Sequence, residues 1–126
     1  MKNILVLALF SMLLSSCAPD TTCVDFKTGV FEYTHPDYKE WKITRTDSLQ
    51  KEISSKSGVE IISTIAWETD CKYILTYKEI KNSKNTDLLG SKIYVEILET
   101  GKNKYTCHSK SESLNLDLEL EMKRIE

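Results

Sequence analysis

The chain has 126 residues, 40% of them hydrophobic and 29% charged, which is enough for one globular domain with its own core and too little for two. With 19 acidic against 17 basic residues the net charge is −2. That balance leaves no electrostatic footprint for a phosphate backbone, and nucleic acid is not an expected partner.

Lys2 supplies a positive charge ahead of the apolar run from Ile4 to Leu14, broken only by Ser11. A run this short suits the hydrophobic part of a signal peptide and falls well below the roughly 20 residues that span a bilayer. Leu14-Ser15-Ser16-Cys17 follows it and resembles the bacterial lipobox, in which an aliphatic residue and two small ones precede a cysteine that is lipidated and becomes the first residue after cleavage. Residues 1–16 are therefore expected to be a signal peptide, 17–22 a lipidated tether carrying Pro19, and 23–126 a single domain. The resemblance makes acyl chains on Cys17 the membrane contact, each buried methylene contributing about 0.8 kcal/mol. Ala18 stands where Asp would favour inner-membrane retention in bacteria resembling the enteric group, which points to the outer membrane.

Beyond the tether the hydrophobic period is two. Phe31 and Tyr33 alternate with polar residues; so do Trp41 and Ile43, and Val59, Ile61, Ile65 and Trp67 share one phase. Cys71, Tyr73, Leu75 and Tyr77 follow, then Ile93, Val95 and Ile97, then Tyr105 and Cys107. Leu114, Leu116, Leu118, Leu120 and Met122 make the cleanest run, alternating with Asn115, Asp117, Glu119 and Glu121. Turn signals at His35-Pro36-Asp37, Thr46-Asp47-Ser48, Ser57-Gly58, Glu68-Thr69-Asp70 and Thr100 to Asn103 separate these runs at intervals of about 8 to 12 residues. The polar stretch Lys81 to Asp87 reads as an exposed loop, with Leu88-Leu89 packing back as a short helical turn. The pattern predicts an all-β fold, an antiparallel meander of seven or eight strands curled into a small barrel. In it the last strand closes against the first near Phe31 and Tyr33.

With Cys17 assigned to lipid, Cys23, Cys71 and Cys107 remain, and the odd count leaves one of them over. A Cys23–Cys71 bridge would pin the entry segment to the sheet; Cys71–Cys107 is the alternative. His35 and His108 have no partner at metal-ligand spacing, so no metal and no cofactor is expected. Cys107 and His108 are neighbours in a strand and point to opposite faces, so they cannot act as nucleophile and base. Without a nucleophile elbow or a phosphate-cradling glycine loop, an enzyme is not expected. A hydrolase would need a cleft gathering His35 with a carboxylate such as Asp37.

Arg45 shares the phase of Trp41 and Ile43, which aims a guanidinium at the apolar side. Either it belongs to an interior polar cluster with Gln50 and Glu52, orienting a ligand headgroup inside the barrel, or it ends the strand and reaches solvent with its stem on Trp41.

Cys23 to Gly29 and on to Phe31, Ile43 to Gln50, and Trp67 to Tyr73 resemble a family of small lipoproteins from flavobacteria and their relatives in the Bacteroidetes. The resemblance implies a lipocalin-like barrel and no known activity. Members often carry the label DNA topoisomerase IV, which a short exported chain without an ATP site cannot support. The same lineage implies that Asp20-Thr21-Thr22 is an O-glycan acceptor through Thr21; Asp47-Ser48-Leu49 fits the same pattern. The expected function is a non-enzymatic, monomeric binding module for a small amphiphile, a glycan or a protein partner, lipid-anchored in the cell envelope. Its rival is a structural or assembly lipoprotein with a packed core and no ligand.

Overall fold

The computed structural model of the protein describes residues 22–126. The expected signal peptide, Cys17 and Thr21 lie outside the described residues. A 3-10 turn, Cys23–Phe26, leads into β1 (Gly29–Tyr33), and a second, Pro36–Tyr38, lies between β1 and β2 (Trp41–Arg45). Then come β3 (Leu49–Ser54), β4 (Glu60–Thr69), β5 (Lys72–Lys81), β6 (Lys92–Thr100), β7 (Lys104–Ser111) and β8 (Leu116–Arg124). The strands form a closed antiparallel barrel in sequence order, the small lipocalin-like form. Closure is made by β1 on β8, with Phe31 opposite Arg124 and Tyr33 opposite Met122. Among the described residues every strand is then paired on both sides and no sheet edge remains open.

Alternation decides which side chains enter the barrel. Phe31, Ile43, Tyr73, Leu75, Ile93, Val95, Ile97, Tyr105, Cys107 and Met122 point inward and are buried together. β3 inverts the usual chemistry: Gln50 and Ser54 are buried, while Leu49 and Ile53 are 38% exposed on the outside. β8 begins at Leu116, two residues later than its leucine pattern predicts, because Asn115 turns the chain with a φ of 50°. Leu114 sits in that turn and packs on the core from there. β5 runs through Lys81, into the stretch expected as loop. Leu88 and Leu89 form hydrogen-bonded turns in which Leu89 stays exposed, not a helical turn packed on the barrel.

One end of the barrel is plugged. The first 3-10 turn lays Phe26 across it, within ring-contact distance of Tyr105 (5.0 Å) and Phe31 (6.4 Å). Cys23 is bonded to Cys71 in the β4–β5 turn, and among the described residues Cys107 is the free, buried thiol. The bridge spans 48 residues, a loop whose closure removes about 4 kcal/mol of unfolded-state entropy in the chain-entropy account. Lys27 reaches Asp70 of the same turn at 2.8 Å. From β8, Arg124 donates to the carbonyls of Thr28 and Asp25 and lies over the rings of Phe31 and Phe26. It passes where a Cβ on Gly29 would stand, and Gly29 has a φ of +136°, so only glycine fits there.

Candidate ligand-binding site

Arg45 is 2% exposed; the reading that sent its side chain to solvent is overturned. Its position on β2 is in phase with Ile43, so the guanidinium enters the barrel just above the plug. There Nε donates to Gln50 Oε1 (2.9 Å) and Nη1 to the Phe26 carbonyl (2.8 Å). Nη2 donates to the hydroxyls of Tyr73 (3.0 Å) and Tyr105 (2.9 Å). Tyr105 passes its own proton toward Met122 Sδ at 2.9 Å. The rings of Phe31 and Tyr73 face the cation at 4.9 and 5.0 Å. All four acceptors are neutral, so the charge is held by hydrogen bonds and aromatic faces rather than by a carboxylate.

Gln50 and Glu52 play different parts. Gln50, directly opposite Arg45 in the β2–β3 ladder, completes the cluster at the floor. Glu52 stands two residues farther along β3, toward the other end, and opposes Ile43. Burial pushes its carboxyl up to about 7, against the opposing pull of the Arg45 charge and a hydrogen bond from Tyr33.

The interior is not filled at that end. A cavity of about 180 Å³ extends from Arg45 and Tyr73 past Glu52 to Tyr33, Tyr38, Trp41, Tyr77, Leu116 and Leu118. Burial is graded along it. Phe31 and Ile43 are sealed at 0% exposure, and Met122 and Tyr73 are also buried. Their successors toward the far end, Tyr33, Trp41, Glu52, Tyr77, Leu118 and Leu116, are only half-buried. The gradient runs along β1, β2, β5 and β8, whereas Ser54 of β3 and Ser111 of β7 stay buried at that end, so the cavity approaches solvent on the β1, β2, β5 and β8 side. The walls are leucine, isoleucine and valine; the polar groups gather at the floor and around Glu52.

Other candidate groups lie apart from this cavity or are disarmed. Cys107 lines it, but burial pushes its thiol up to about 11, so it stays protonated and unreactive. His108 points outward from β7 and meets Asp117 of β8 at 2.5 Å. His35 caps the second 3-10 turn by accepting from the Asp37 amide at 3.2 Å, with both side chains exposed. Among the described residues no group of three His, Cys, Asp or Glu could hold a metal ion.

Tyr33, Trp41, Tyr73, Tyr77 and Tyr105 are legible in the sequence as inward positions of strands, but their hydroxyls and faces as binding groups are not. The available signal was that an inward tyrosine carries a hydroxyl that needs a partner, and Arg45 shares their phase. Compared with known proteins, the chain matches no family model, no curated protein and no solved structure.

Proposed function

We propose that the protein is a lipid-anchored, non-enzymatic binding module of the cell envelope that takes the apolar part of a small amphiphile end-on into its barrel. The observation that carries this reading is the burial gradient along β8 and its neighbours: the barrel is sealed by Phe26 and the Arg45 cluster at one end and leaves Leu116, Leu118 and Leu120 only partly buried around a cavity at the other. A purely structural lipoprotein has no use for apolar side chains that line a wet cavity, since covering them would stabilise it.

The size of the cavity bounds the guest. An engineered apolar cavity of about 150 Å³ holds benzene, so about 180 Å³ accepts a single ring or a chain of about six carbons. A full-length acyl chain or an oligosaccharide does not fit inside; a glycan could engage only the rim. The outward end is also the end away from the proposed anchor. Cys23 is fixed at the plug by its bridge to Cys71, and the six residues from Cys17 to Cys23 reach at most about 20 Å. A barrel tethered in this way turns its plug toward the membrane and its mouth toward the aqueous side.

Calorimetric titration of the soluble domain with 1-hexanol tests the reading. Saturable one-to-one binding that Leu118→Trp abolishes, by filling the cavity while the variant's near-ultraviolet dichroism shows a folded barrel, supports it. Absence of binding to the unaltered domain, or binding untouched by Leu118→Trp, contradicts it.

A further inference from the structure

Resting on that binding reading, we infer that the mouth half of the cavity takes an organic cation, an ammonium group carried on an apolar body of about six carbons, with the charge seated between Glu52 and the aromatic rings of Tyr33, Tyr38, Trp41 and Tyr77. The placement follows from strand register. Tyr33 and Trp41 are the outermost inward residues of β1 and β2, and Glu52 enters from β3 one pleat below Trp41's level. Tyr38 comes over the mouth from the second 3-10 turn, its ring 5.8 Å from that of Tyr33. Tyr77 faces in from β5, and all five side chains line the one cavity. Aromatic rings that line one cavity with a carboxylate are surroundings that attract an ammonium ion, by quadrupole and by charge.

Charge accounting in the cavity supports a cation over an anion. From β2, Arg45 is the permanent charge, and its Nε, Nη1 and Nη2 already donate to Gln50, Phe26, Tyr73 and Tyr105. A carboxylate guest would find those donors engaged and meet Glu52 at the mouth. Of the other titratable groups, Tyr38 comes from the second 3-10 turn, Tyr33 from β1, Tyr73 and Tyr77 from β5, and Cys107 from β7. Burial pushes Tyr33, Tyr73 and Tyr77 above the ordinary tyrosine value and Cys107 up to about 11, so these four stay neutral near pH 7. β4, β6 and the lower part of β8 contribute Ile61, Ile93, Val95 and Met122, which carry no charge. Glu52 is then the group whose ionisation changes the cavity near neutrality, and an ammonium guest at the mouth adds a positive partner to the Arg45 charge that acts on its carboxylate from the floor.

The test is titration of the domain with n-hexylammonium, 1-hexanol and hexanoate at about pH 8.5 and about pH 5.5, a range over which the ammonium and the carboxylate of the two charged probes keep their charge. The order expected at the higher pH is hexylammonium, then hexanol, then hexanoate. With Glu52 at about 7, the hexylammonium affinity falls by up to about thirtyfold at the lower pH, following the ionised fraction. In Glu52→Gln the ratio of hexylammonium to hexanol affinity collapses to about one and its pH dependence disappears. Hexanoate binding as tightly as hexylammonium, or a preference that survives Glu52→Gln, overturns the inference while leaving the binding reading intact. If none of the three probes binds the unaltered domain, both fall together.

Discussion

A guanidinium taken out of water ordinarily answers a carboxylate, and Arg45 answers four neutral acceptors instead. The arrangement ties the plug to the sheet, because one of those acceptors is the carbonyl of Phe26. Replacing Arg45 by Met keeps much of the stem's packing but strips donors from the buried Gln50 and Phe26 oxygens, each loss costing about 1–3 kcal/mol. Arg45→Met is therefore expected to lower stability by about 2–4 kcal/mol, read by urea denaturation; an unchanged midpoint would show that the cluster is not what holds the plug. Glu52 acts in the opposite sense. Its folded pKa of about 7 lies above its ordinary 4.5, so the folded state binds the proton more tightly. Stability from this group is whole below about pH 4.5 and falls as pH rises toward 7, by up to about 3 kcal/mol. Glu52→Gln is expected to stabilise the domain at about pH 8 by about 2 kcal/mol and to do little at about pH 4.5, measured as the difference from the unaltered chain at each pH. A residue that weakens the fold at neutral pH yet keeps its place in a cavity fits a binding role. Of this site, the sequence showed Arg45 as an anomaly because its strand phase conflicts with its charge. It could not show that Gln50 takes the bond while Glu52 is left for the mouth, since both share one inward phase.

At the level of the strands, β3 and β8 show where hydrophobic alternation informs and where it misleads. β8 is recognisable because every second residue is apolar, and its pairing with β1 follows from the need to cover that face. Alternation, however, tells only which face looks inward, not whether the interior is filled. Met122 is buried at 3%, whereas Leu116, Leu118 and Leu120 are half-buried around the cavity. Inward apolar residues of equal standing in the sequence pattern thus do unequal work. Met122→Ala is expected to cost about 2–4 kcal/mol and Leu118→Ala only about 1–2, with Glu119→Ala on the outer face within about 0.5. Thermal melts of the three variants check the order; Leu118→Ala as costly as Met122→Ala would mean that the interior is closed. β3 is the reverse case. Its inward positions are Gln50, Glu52 and Ser54, and its apolar Leu49 and Ile53 face out, so a rule that sends apolar residues inward assigns its faces backwards. Register with β2 and β4 on either side overrides that local pattern.

For the whole molecule, closure and plugging together give the barrel a direction. The plug gathers the disulfide, Phe26, the Lys27–Asp70 pair and the Arg45 and Arg124 cations at one end, and the chain enters there. If the proposed anchor is right, Cys17→Ser abolishes palmitate incorporation and moves the protein out of the membrane fraction; palmitate incorporation that persists without Cys17 would contradict it. On the proposed binding function, the interior of this barrel opens at the end opposite the plug and receives an apolar guest there. A nitrogen-15 and methyl-carbon NMR titration of the domain with 1-hexanol tests it most directly. Saturable shifts are predicted at Leu116, Leu118, Leu120, Ile61 and the indole of Trp41, with the methyls of the exposed Leu49, Ile53 and Leu98 on the outer surface unmoved. Shifts confined to that outer surface, or no saturable shift at all, would contradict it.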